Sequence, residues 1–323
     1  LKHLETLGEF KAGTSVAVAG DLRSSTPRIL RACMAAITWM KGVPDFCGFV
    51  PTPALCAYAF TRGIPSLMVT GSHIPDDRNG IKFNRACKEF LKNDEASMRE
   101  QEVVLPEGWF NQDGQLVHPF AEPAATDVVV DYIARYRDFF GKDALTGLTL
   151  GVYQHSAVGR DVLVAIVEAL GGKAVPLARS ETFISVDTEA VRPEDVRLAL
   201  EWGKSGTYDA ILTTDGDSDR PLLADRHGHW LRGDVLGMVA AQALEAAAVT
   251  TPVSSNTALE MADFARSVRR TKIGSPFVVA EMMAAVEDGF VPSVGYEANG
   301  GFLLASDVSR KGRALSALPT RGA

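Results

Sequence analysis

The chain has 323 residues, more than one hydrophobic core ordinarily serves, so two or three domains are expected. It is 46% hydrophobic and 23% charged with a mean hydropathy of +0.03, and no apolar stretch reaches the ~18 residues needed to cross a bilayer. Asp and Glu outnumber Lys and Arg by 40 to 33, a formal net charge of -7, which leaves no basic footprint for nucleic acid and points to a small-molecule partner. The four cysteines, Cys33, Cys47, Cys56 and Cys87, have neither zinc-site spacing nor the density of a disulfide scaffold and read as reduced thiols. Residues 1–20 carry no charged-then-apolar leader, so a cytoplasmic protein is expected.

Short β-branched runs alternate with longer amphipathic ones, the pattern of α/β units with mostly parallel sheets. Thr14–Ala19 reads as a strand, and Thr26-Pro27 as the N-cap and first turn of a helix to about Lys41. Pro65–Thr70 is a second strand, running into Gly71 and Ser72. A helix from near Asp127 carries Tyr132, Tyr136 and Phe139 and stops at Gly141. Leu148–Tyr153 is a strand, Asp161–Leu170 a helix closed by Gly171, and Tyr208–Thr214 a strand ending at Asp215. A helix then starts at Gly233 and runs to about Ala248, and Pro292–Tyr296 is a strand ending at Glu297. Linkers are expected around Ala121–Thr126 and Arg226–Arg232. The most polar loops thus sit at carboxyl ends of strands, where open α/β sheets bind ligands.

Three of those loops carry chemistry. In TGSHIPDDRNGIK, Ser72 follows a strand and a glycine, where its hydroxyl is held out to attack or be attacked. Lys82 lies beyond the Asn79-Gly80 turn, which would fold its ammonium back towards the serine. Taken alone, Ser72 and His73 fit an ordinary loop hydroxyl and a structural hydrogen-bonder better than catalytic groups. In DGDSDR, the alternating Asp215, Asp217 and Asp219 can converge on a hard cation such as Mg2+. A calcium EF-hand is excluded, since it needs glycine at its sixth position and glutamate at its twelfth, where this chain has Arg220 and Arg226. A solvated turn would also use these residues, but Arg220 beside the carboxylates suits a phosphate-handling site. In GYEANGG, Glu297 and Asn299 are spaced to hydrogen-bond vicinal hydroxyls, and a plain strand-end turn fits the same residues.

With the three loops in this order, the sequence resembles the α-D-phosphohexomutase superfamily, phosphomannomutase/phosphoglucomutase branch. That family's loops read TASHNP with NGxK, DGDGDR and GExSGH; here they are TGSHIP with NGIK, DGDSDR and GYEANGG. The resemblance implies three consecutive α/β domains with mostly parallel mixed sheets around a central cleft. Residues 1–123 would bear the phosphoserine, 124–229 the metal and 230–323 the sugar-recognition loop. It also implies that the third domain is incomplete here, and that the family's N-terminal GTSG-type strand and fourth, phosphate-binding domain are not in these residues.

By the same resemblance, Ser72, Lys82 and Arg220 would be catalytic, with Mg2+ held by Asp215, Asp217, Asp219 and the phosphate on Ser72. His73, Lys272, Gly274, Ser275, Glu297 and Asn299 would contact substrate. The implied reaction interconverts hexose 1-phosphate and hexose 6-phosphate, of mannose or glucose, through a bisphosphorylated sugar. Phosphoglucosamine mutation and a binding-only homologue are the alternative readings. The departures fall on the sugar side: Ile74 replaces a common asparagine, Asn299 a serine, and Ser275 and Gly301 stand where many members have histidines.

Overall fold

The computed structural model describes residues 1–322. The first unit runs α1 (Lys2–Thr6), β1 (Ser15–Gly20), α2 (Thr26–Trp39), β2 (Val43–Phe49), α3 (Thr52–Arg62), β3 (Ser66–Val69), β4 (Ile81–Asn84) and α4 (Lys92–Arg99). The second runs α5 (Val129–Phe140), β5 (Thr149–His155), α6 (Arg160–Ala169), β6 (Lys173–Arg179), α7 (Pro193–Lys204), β7 (Ala210–Thr214) and β8 (Pro221–Ala224). The third begins with α8 (Gly233–Ala243), β9 (Ala248–Pro252), α9 (Ala258–Met261), β10 (Ser267–Thr271) and α10 (Ser275–Glu287). It continues with β11 (Ser293–Tyr296), β12 (Phe302–Leu304), β13 (Val308–Arg310) and β14 (Arg313–Leu315).

Each unit has one four-stranded sheet, and the three sheets share one topology: β2-β1-β3-β4, β6-β5-β7-β8 and β10-β9-β11-β12. In each, the central strand pairs in parallel with two neighbours, and the fourth strand returns antiparallel to the third. Central strands covered on both faces must be apolar throughout, and β1 and β9 are buried along almost their whole length. The expected strands and helices recur within about two residues, apart from two differences. The helix from Gly233 stops at Ala243 instead of about Ala248, because Glu245 takes a left-handed φ of 55° and the β-branched run that follows enters the sheet as β9. Thr26 is not the N-cap of α2; Ser25 is, and the Thr26 hydroxyl donates to Asp21 at 2.7 Å.

Helix α5 joins the units. Its Tyr132 packs into a core with Ala17, Leu55 and Met68 of the first sheet's helical face, while Phe139 packs with Leu244, Val249 and Val294 of the third unit. Among the described residues all four cysteines are free, with Cys47 and Cys56 buried and Cys87 exposed, and no helix is long and apolar enough to cross a membrane. Leu55 of α3 is fully buried in the shared core. Leu55→Ala should lower the stability of the first unit by about 2–5 kcal/mol, read as a fall in its thermal or urea midpoint; an unchanged midpoint would refute this packing.

Candidate active site

The first loop spans the hairpin between β3 and β4. Ser72 has φ 54°, a left-handed conformation that a residue with a side chain adopts only when its surroundings impose it. The surroundings are a buried ion pair. Arg23 Nε meets Asp21 Oδ2 at 3.0 Å, and both side chains are fully buried. Arg23 Nη2 donates to the Ser72 carbonyl at 2.8 Å, and Nη1 to those of Pro75 and Arg78 at 2.7 and 3.2 Å. Asp21 also accepts the Thr70 hydroxyl, whose oxygen takes the Ser72 amide at 2.7 Å. Neither Asp21 nor Arg23 stands out in the sequence, since nothing local distinguishes them from ordinary loop charges.

The hairpin brings Lys82 opposite Met68 in the sheet register. Its ammonium lies on Asp217 Oδ2 at 2.6 Å and Asp219 Oδ2 at 2.5 Å, carboxylates of the second loop.

The second loop is the β7–β8 turn. Carboxylate oxygens of Asp215, Asp217 and Asp219 lie within 4.8 Å of one another, and all three residues are buried. The turn is cinched by Asp215 Oδ1, which accepts the amides of Asp219 and Arg220 at 3.2 Å each. Asp215 Oδ2 accepts the Ser72 hydroxyl at 2.6 Å, so the first two loops meet at the predicted residues. Thr52, at the start of α3, donates its hydroxyl to Asp217 and its amide to the Asp217 carbonyl. Burial and the two neighbouring aspartates push Asp215 far above the usual carboxylate range. Burial pushes Asp219 up too, but Arg321, Lys82 and Arg220 outweigh it and hold that group well below its usual value. Asp217 Oδ1 and Asp219 Oδ1 are buried without a hydrogen-bond partner. Unpartnered oxygens among mutually repelling carboxylates fit a hard divalent cation such as Mg2+.

Arg220 lies 3.9 Å from Asp215 and 3.8 Å from Asp219, and its Nη1 meets His73 Nδ1 at 2.8 Å. His73 therefore offers Nδ1 as the acceptor, and burial together with Arg220 lowers its pKa.

In the third loop, between β11 and β12, Glu297 is buried and its Oε2 lacks a hydrogen-bond partner. Burial raises its pKa, against the pull of Arg321. Asn299 caps its own turn, its Oδ1 accepting the Gly301 amide at 2.9 Å. Lys272 is exposed, with Nζ 5.8 Å from the Phe277 ring, and Gly274 precedes α10 at φ 124°. The Ser275 hydroxyl is engaged, donating to Glu89 at 3.0 Å. Glu89, Thr320 and Arg321 were not anticipated from sequence. Arg321 lies 3.4 Å from Asp219 and 3.7 Å from Glu297, and a side chain on Gly301 would strike its stem at 2.7 Å. A cavity of about 450 Å³ is lined by Lys82, Glu89, Arg220, Ser275, Glu297 and Arg321 among others, residues of all three units.

Family models for phosphoglucomutase/phosphomannomutase α/β/α domains I, II and III match residues 2–101, 129–228 and 232–318. The chain belongs to that family. It is 44% identical over 97% of its length to a phosphomannomutase of Sinorhizobium fredii, covering 66% of that protein, and 42% identical over 96% to one of Salmonella muenchen, covering 63%. The chain thus spans just under two thirds of these relatives. A phosphoglucosamine mutase of Anaeromyxobacter dehalogenans is 30% identical over 83% of this chain and 62% of its own. A crystal structure titled putative phosphomannomutase from Thermus thermophilus shares the fold, with a TM-score of 0.76 at 19% identity, over 99% of this chain and 70% of that one.

Beneath the metal-type loop, His155 is fully buried with Nε2 on the Thr214 carbonyl at 2.9 Å and Nδ1 unpartnered. Burial pushes its pKa down to about 4. The unfolded state then binds the proton more readily, so stability falls as pH drops from about 6.5 to about 4, by roughly 3 kcal/mol in all. His155→Gln should flatten that stretch of the stability–pH curve; an unchanged slope would assign it to other groups.

Proposed function

We propose that these residues carry the phosphoserine, metal and sugar-reading sites of a phosphohexomutase that interconverts hexose 1- and 6-phosphates. The observation that carries this reading is the Ser72 hydroxyl on Asp215, inside the cluster of three buried aspartates. Binding alone requires no nucleophile there. The phosphomannomutases at 44% and 42% identity support mannose phosphate, with glucose phosphate, over glucosamine phosphate.

In the proposed cycle Ser72 enters phosphorylated. A sugar O1 or O6 attacks the phosphorus, the bond from Ser72 Oγ to phosphorus breaks, and a sugar bisphosphate forms. After the sugar turns round, Ser72 Oγ attacks its other phosphate, the bond from that phosphorus to the sugar oxygen breaks, and the serine regains a phosphoryl group as the sugar leaves as the isomeric monophosphate. Asp215, Asp217 and Asp219 would hold Mg2+, which when bound neutralises charge on the moving group. Burial weakens the Lys82 ammonium, but Asp217 and Asp219 outweigh it and raise its pKa, so it remains charged and can neutralise or donate a proton. Arg220 adds a second cation and fixes His73 beside the serine. Glu297, buried with a free oxygen, would accept a sugar hydroxyl.

Intact mass before and after incubation with glucose 1,6-bisphosphate should show one added phosphate, absent in Ser72→Ala. Asp217→Ala should lose divalent-ion binding, measured with Mn2+ by electron paramagnetic resonance, and at least about a hundredfold of any mutase activity. Full activity in that variant would overturn the metal assignment. Glu297→Gln should cut kcat/KM about ten- to a hundredfold while Ser72 still accepts phosphate; loss of serine phosphorylation there would mean the third loop is misread.

A further inference from the structure

The connection from Ser180 to Arg192, between β6 and α7, contains no helix or strand, yet Val186 and Thr188 within it are buried. Long irregular connections with buried contents are uncommon unless they have a task. This one is anchored to its own unit at Ile184, whose amide donates to Ser156 Oγ at 2.7 Å and whose carbonyl accepts that hydroxyl at 3.3 Å. Around the anchor it touches all three loops. The Phe183 ring lies 4.2 Å beneath the Arg23 guanidinium that clamps the Ser72 loop. The same ring walls off Gly216 of the aspartate loop, where an added Cβ would sit 3.1 Å from it and 2.6 Å from the Ser72 carbonyl. The Ser185 hydroxyl donates to the carbonyl of His73, next to Ser72. The Thr188 hydroxyl donates to the carbonyl of Asn299 at 2.5 Å.

We propose that Phe183–Thr188 is a strap that sets the register of the serine, aspartate and sugar loops, with Phe183, Ser185 and Thr188 as positioning residues. Both hydroxyls bond main-chain carbonyls, so they fix the course of the loops and leave the loop side chains free. None of the three is among the residues lining the 450 Å³ cavity, so they act through the loops and not on a ligand. What the loops then do rests on the function proposed above; the strap itself does not.

The two ends of the strap predict opposite signatures. By hydrogen–deuterium exchange, Ser185→Ala should speed amide exchange about two- to tenfold across residues 71–76 and leave 297–301 unchanged. Thr188→Val should do the reverse, and Thr188→Ser, which keeps the donor, should match the parent. An equal rise in both loops with either variant, or no rise in its own loop, would overturn the strap. On the same samples, Ser185→Ala should slow phosphorylation of Ser72 by glucose 1,6-bisphosphate severalfold, whereas Thr188→Val should raise KM for hexose phosphate and leave that phosphorylation intact. A parent chain that takes no phosphate would remove the proposed function, while the exchange pattern would still decide the strap.

Discussion

Three carboxylates buried within 4.8 Å of one another are the constraint on which this structure turns. At an effective dielectric of about 20, each like-charged pair 4 Å apart costs roughly 4 kcal/mol, and burial removes the water that would otherwise screen it. The compensating charges come from separate places in the chain. Lys82 arrives from the edge strand of the first sheet, Arg220 from the aspartate loop itself, and Arg321 from beyond the last hairpin of the third unit. No single unit could bury these aspartates alone with the same compensation. The charge cluster is therefore also an assembly device, and it converges on the hydroxyl of Ser72.

The repeated sheet explains how residues so far apart in sequence meet. In each unit the loop of interest is the turn from the third parallel strand into an antiparallel edge strand, at the same place in the topology. A strand buried on both faces fixes where its carboxyl end emerges, and the edge strand fixes where the loop returns. Lys82 illustrates the gain: its place opposite Met68 is set by hairpin register, and that register carries the ammonium across to the aspartates of the second unit.

Much of this was legible in the sequence because it is local. Strand periodicity, turn formers and alternating aspartates are short-range signals, and Asp215, Asp217, Asp219 and Arg220 gather as their spacing implied, whereas the meeting of Ser72 with Asp215 was implied only by the family resemblance. The threefold sheet topology was not legible, since equivalent strands share burial and not residue identity. Nor were Asp21 and Arg23, whose importance lies in a buried pair that clamps carbonyls some fifty residues away. The end of α8 was misjudged because an alanine-rich run has high helix propensity, yet Ala246 and Ala247 form the connection and Ala248 opens the central strand of a sheet.

The third loop shows the same division between motif and context. Gly301 stands where many family members have histidine, and here it leaves room for the stem of Arg321. Ser275, at the other such position, is engaged by Glu89, which also accepts the Thr320 hydroxyl. The histidine positions have thus given way to a linked set, Glu89, Ser275, Thr320, Arg321 and Glu297, drawn from the first and third units. A charged arginine and two carboxylates present fixed donors and acceptors where imidazoles would present a titratable pair. The shape and charge of this end of the cavity then depend on how closely the first and third units approach. A contact between units, and not the GYEANGG motif alone, thus sets the donors and acceptors that this end of the cavity presents.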